Sequence, residues 1–120
     1  MKRTLILGAS PNPDRYAHKA TLKLDKYAHP VFPVGLREGF IGEHKILTLS
    51  PVIENIDTVT LYVGPKNQPD YYDYIINQIK PKRIIFNPGT ENSELEKLAV
   101  ENNIEIENAC TLVLLSLNDY

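Results

Sequence analysis

Apolar positions fall into short runs separated by turns rich in glycine, proline and asparagine, and runs that suit a strand alternate with stretches that suit a helix. Thr4 to Leu7 is a continuous run ending at Gly8, the pattern of a strand buried on both faces. Ala17, Ala20, Leu24 and Tyr27 or Ala28 then recur at spacings of three and four, which predicts one stripe of an amphipathic helix. Asn12 as N-cap, Pro13 at the first helical position and Asp14 at the positive end of the dipole mark its predicted start. Val31 to Val34 and Thr58 to Val63 read as strands, and Ile46 to Leu49 as a short edge strand before Pro51. Asp70 to Ile79 reads as a helix whose apolar face takes in Tyr71, Tyr72, Ile75, Ile76 and Ile79, closed by Pro81. Arg83 to Phe86 returns as a strand. Ser93 and Glu96 form a capping box for a helix with Leu95, Leu98 and Ala99 inward, and Ile104 to Ile106 is the last strand. Cys110 to Leu117 fits helix or strand equally.

This alternation predicts a Rossmann-like, doubly wound α/β fold, with a mainly parallel sheet of about five strands and helices on both faces. A chain of 120 residues, 42% hydrophobic and 23% charged, corresponds to one domain spanning 1–120. No apolar stretch approaches the ~18 residues of a membrane span, and the start lacks the apolar segment of a secretory signal, so the expected location is cytoplasmic. A net charge of -2 with scattered Lys and Arg argues against nucleic acid and membrane surfaces as partners. A single cysteine and no Cys/His cluster leave neither an internal disulfide nor a metal site to expect.

In such sheets ligands bind beyond the carboxyl ends of the strands, which singles out the loops after each strand. Gly8-Ala9-Ser10-Pro11-Asn12 offers close backbone approach, a hydroxyl and a helix start, the parts of a phosphate site. It is neither a GxGxxG nor a Walker sequence, and a plain strand-to-helix turn accounts for the same residues. After the second strand a NAD site would place an acidic residue, but here Arg37 comes first and Glu38 follows. An arginine there suits a phosphorylated ribose, as in NADP or coenzyme A, while pairing with Glu38 or Glu43 is the plainer reading.

The series GAS followed by NPDRYAHKA, then HPVFPVGLREG, IDTVTLYVGPKNQ, PKRIIFNPGTEN and ACTLVLLS resembles the CoA-binding domain family of small single-domain proteins from Thr4 to about Leu115. That family is similar to the N-terminal domain of the succinyl-CoA synthetase alpha subunit. The resemblance implies the same fold, with Gly8, Ala9 and Ser10 around the ligand's phosphates and Pro33, Val34, Gly35 and Arg37 along its adenosine end. It implies further that Val63, Gly64 and Pro65 lie against the nucleotide, and that Asn87, Pro88 and Gly89 line the neighbouring cleft. Pro33-Val34-Gly35-Leu36 stands where the family often has PVNP. The synthetase's phosphohistidine belongs to a further domain, so the resemblance implies no acyl-CoA ligase activity.

Arg15 and Tyr16, at the predicted first turn of the helix, join Pro11 and Asn12 as candidate ligand contacts, against a solvated arginine and a core-edge tyrosine. His18, His29 and His44 have no nucleophile or carboxylate at a recognisable spacing and read as solvated or core-edge histidines. Cys110 reads as a small buried hydrophobe, or as a thiol activated by a helix start. Tyr62, Tyr71, Tyr72 and Tyr74 suit either ordinary burial or a surface for a homodimer or protein partner. The expectation is a binding module that holds coenzyme A or an acyl-CoA without catalysis. The alternative is a small NADP- or other nucleotide-dependent enzyme using the same cleft.

Overall fold

The computed structural model describes residues 1–120. Strands β1 (Thr4–Leu7), β2 (Val31–Val34), β5 (Thr58–Leu61), β6 (Arg83–Phe86) and β7 (Glu105–Asn108) form one sheet in the order β2-β1-β5-β6-β7. Every neighbouring pair is parallel. Strand order reverses between β1 and β5, which makes their carboxyl ends the switch point of the sheet. β3 (Phe40–Ile41) and β4 (His44–Lys45) form a small antiparallel hairpin beside it.

Helix α1 (Tyr16–Lys26) and helix α3 (Thr111–Ser116) cover one face, where Ile6, Val31, Ala17, Leu24 and Leu115 share a core. Helix α2 (Ser93–Glu101) and the segment Tyr74–Ile79 cover the other, against Leu5, Leu7, Val59, Leu61, Ile84 and Phe86. β1 serves both layers because successive side chains point to opposite faces. No helix is long and apolar enough to cross a membrane.

Several local expectations change. α1 starts at Tyr16 rather than at Pro13, because the Asn12 side chain accepts from Asp14 N–H at 2.9 Å and closes a turn ahead of the helix. Its buried stripe is Ala17, Ala20 and Leu24, and Tyr27 and Ala28 lie exposed beyond its end, Ala28 in the left-handed region. Ile46–Leu49 is not a strand. Leu47 makes a single parallel bridge to Val34, and Leu49 and Ser50 then turn into left-handed conformations that no ladder accommodates. α2 is capped by Asn92, not Ser93: Asn92 accepts from Glu94 N–H at 3.0 Å, while Glu96 accepts from the Asn108 side chain. The last strand runs to Asn108, and the ambiguous run after Cys110 is helix α3.

The expected helix over 70–79 is wound differently. After short 3₁₀ turns, Tyr74–Ile79 forms a π-helix, and Tyr74, Ile75, Ile76 and Ile79 are all buried in the core. The wider turn brings more positions onto one face than an α-helix would. These four side chains are covered within a single chain, while Tyr71 and Tyr72 of the same expected face stay half-buried.

Candidate functional site

Three carboxyl-end loops meet at the switch point, and two glycines set how closely they meet. Gly8 has φ +98, and a Cβ on it would come to 3.0 Å from the Tyr62 backbone. A Cβ on Gly35 would lie 2.2 Å from the Ala9 carbonyl oxygen, so no side chain fits between the first and second loops. Gly8 and Ala9 both donate their N–H to the Val34 carbonyl, at 3.0 and 2.9 Å, which ties the first loop to β2. His18, buried on α1, fastens the loop from below. Its Nδ1 lies 2.9 Å from the Ser10 carbonyl, which only accepts, so Nδ1 carries the proton.

These bonds decide which donors remain. The N–H groups of Gly8 and Ala9 are occupied, whereas those of Ser10, Tyr16 and Ala17 make no hydrogen bond within the chain. The last two belong to the first turn of α1, where unpartnered N–H groups and the helix dipole favour an anion. The Ser10 hydroxyl accepts from Asn12 N–H at 3.1 Å and keeps its own proton free to donate.

A cleft of about 900 Å³ opens over this junction. It brings together Gly8, Ala9, Ser10, Asn12, Arg15 and Tyr16 from the first loop, Gly35 and Arg37 from the second, Val63 and Gly64 after β5, and Pro88 and Gly89 after β6. Arg37 is exposed and forms no ion pair with Glu38, Glu43 or any other acid, leaving its guanidinium free. The remaining predicted residues lie outside the lining. Pro33 and Val34 are buried in β2, Pro11 packs toward Gly39, and Pro65 begins a 3₁₀ turn beyond the cleft wall.

Asn87 is buried beneath the floor. Its amide donates to the Thr60 hydroxyl and the Leu61 carbonyl, and its oxygen accepts from Thr111 N–H, so it ties the loop after β6 to the end of β5 and the start of α3. The cleft also takes in Tyr62, Asp70 and Tyr71, whose sequence positions suggested burial or a helix face. The Tyr62 hydroxyl is buried without a hydrogen-bond partner, near the mutually bonded Thr60 and Thr111 hydroxyls, and desolvation pushes its pKa up. No sequence signal marked it, since its position depends on how β5 meets α3.

The other two histidines and the cysteine stand apart. His44 lies 3.3 Å from Asp25, His29 accepts from Lys2 N–H, and half-buried Cys110 precedes α3 outside the cleft. A second hollow of about 720 Å³ at the opposite edge of the sheet is lined by Lys2, Asp57, Lys80, Lys82 and Arg83 among others. Its backbone donors are engaged: Lys82 and Arg83 N–H both bond the Asp57 carbonyl, and Glu105 N–H bonds that of Lys82.

Fold and geometry together define a Rossmann-like α/β domain with a cleft over its switch point. The sequence profile described as CoA binding domain matches residues 2–116, and the chain belongs to that family. It is similar to an uncharacterized protein of known crystal structure, with 51% identity and a TM-score of 0.96 over 100% of this chain and 98% of that one. A hypothetical protein from Pyrococcus horikoshii OT3 is 29% identical, with a TM-score of 0.82 over 93% of this chain and 80% of that one. A protein from Thermus thermophilus shares the fold at 23% identity, with a TM-score of 0.83 over 99% and 91% of the two chains. Among curated proteins there is no match to the chain.

Proposed function

We propose that the cleft holds coenzyme A or an acyl-CoA and acts by binding rather than by catalysis. The observation that carries this reading is the family match across nearly the whole chain, taken with the position of the cleft. The ligand's diphosphate sits over the first loop, where Ser10 and the start of α1 supply free N–H groups. Arg37, unpaired on the β2 side, takes the 3'-phosphate with its planar fork. Gly64 and Gly89 leave open space on the far walls for the chain that leads to the thiol. The histidines serve structural contacts outside the lining, which favours binding over acid–base work.

Titration calorimetry with CoA, acetyl-CoA, dephospho-CoA, NAD and NADP tests the reading. The expected result is binding of CoA in preference to dephospho-CoA. Binding of NADP with no response to any CoA species would overturn it in favour of a nicotinamide-dependent enzyme, since the free Arg37 suits a ribose 2'-phosphate as well. A protein silent with all five ligands would overturn both readings and leave contact with a protein partner as the role of the domain.

A further inference from the structure

We propose that Gln68 is the positioning residue of the cleft, fixing peptide groups of two of its walls so that the Gly64 N–H is presented to the ligand and the Thr90 carbonyl is held away from it; this rests on the CoA-binding reading. Gln68 lies outside the cleft lining and is fully buried, at 0% exposure, an uncommon place for an amide side chain. Both donors of that amide, and its oxygen, are directed at a cleft wall or its support. Nε2 donates to the Val63 carbonyl at 2.9 Å, in the wall after β5, and to the Thr90 carbonyl at 2.7 Å, in the wall after β6. Oε1 accepts from the Asn92 amide at 2.8 Å, and Asn92 in turn caps α2.

Both peptide groups are trans, so N–H and C=O point in opposite directions. Drawing the Val63 carbonyl toward Gln68 turns Gly64 N–H the other way, and drawing in the Thr90 carbonyl does the same for Glu91 N–H. Neither N–H makes a hydrogen bond within the chain, and Gly64 lines the cleft. With no amide at position 68, the two carbonyls would be buried without partners and would turn toward water in the cleft, where they would repel the oxygens of a bound ligand.

The experiment compares Gln68→Met, which keeps the shape and removes both donors, with Gln68→Glu and with Tyr120→Phe, which breaks a half-buried hydroxyl pair with Thr4 at the opposite edge of the sheet. CoA affinity is read by calorimetry at a temperature where all four proteins are folded. A tenfold or greater loss in Gln68→Met, with Tyr120→Phe binding as the unmodified protein does, is expected. Gln68→Glu should also bind weakly and recover in part as the pH falls and its buried carboxyl takes up a proton it can donate, a pH profile that mere loss of packing would not produce. Unchanged affinity in folded Gln68→Met would overturn the proposal.

Amide NMR of residues 62–64 and 88–92 without ligand keeps the two ideas separate. If the unmodified protein binds no CoA, the binding reading fails. Increased mobility of both loops in Gln68→Met then still supports the positioning role, and unchanged loops overturn it.

Discussion

At the amino edge of the sheet, Lys2, Thr4, His29, Arg83 and Tyr120 close on one another, whereas at the carboxyl edge Ser10, Tyr16, Ala17 and Gly64 keep N–H groups without partners. The Tyr120 hydroxyl meets the Thr4 hydroxyl at 2.5 Å, its ring lies 4.6 Å from the Arg83 guanidinium, and Lys2 Nζ bonds its carbonyl. Arg83 further pairs with Glu107 at 3.1 Å and donates to Thr58. The same strands supply both edges. What differs is that one edge turns its polar groups on one another, with Arg83 Nη2 alone buried without a partner, and the other leaves donors free beside a concave surface, which is where an anionic ligand gains most.

The largest effect should come from closing the gap at the carboxyl edge. Gly35→Ala places a methyl against the carbonyl of Ala9, whose backbone is held by the Gly8 and Ala9 N–H bonds to Val34, and should cost on the order of 3 kcal/mol in chemical denaturation. CoA binding should fall with it, while a substitution at the amino edge that costs similar stability should leave binding intact. Arg37→Ala is expected to do the reverse. Stability should stay within about 0.5 kcal/mol, and CoA affinity should drop by about 10–100-fold, with dephospho-CoA affinity unchanged in calorimetry.

Two tyrosines sharpen the contrast further. Tyr120→Phe removes a hydroxyl bonded to Thr4 and should cost about 1 kcal/mol, whereas Tyr62→Phe removes a buried hydroxyl without a partner and should be neutral or stabilising. Burial raises the pKa of both hydroxyls, so above the ordinary tyrosine range the unfolded chain loses protons that the folded chain retains. Stability should therefore be full below about pH 10 and decline above it, and each phenylalanine variant should make that decline shallower in melting curves. Burial pushes the hydroxyl of Tyr74 up to about 12, so Tyr74 adds to the same decline between those values. The smallest effect belongs to a site at neither edge: Asp25→Asn, which removes the exposed contact with His44, should change stability by less than about 0.5 kcal/mol.

Much of the fold was legible from short-range pattern. Uniform apolar runs such as Thr4–Leu7 and Arg83–Phe86 are buried on both faces, and a parallel sheet with helices on each side follows from their alternation with helical stripes. The loops of the cleft were legible too, because glycine and proline after each strand mark where the chain must turn. Within those loops, the pattern could not say which amides stay free. Gly8 and Ala9 looked like phosphate donors, yet their N–H groups go to Val34, a partner more than twenty residues away in sequence.

The order of elements, the two-faced core and the edge of the sheet where the cleft opens follow from the sequence alone, through the period of apolar residues and the direction of parallel strands. The tertiary structure alone decided the π-winding of Tyr74–Ile79, the unpaired state of Arg37, the burial of Tyr62 and the reach of Gln68 to two cleft walls. Each depends on hydrogen bonds and packing between segments distant in the chain, which local periodicity does not encode.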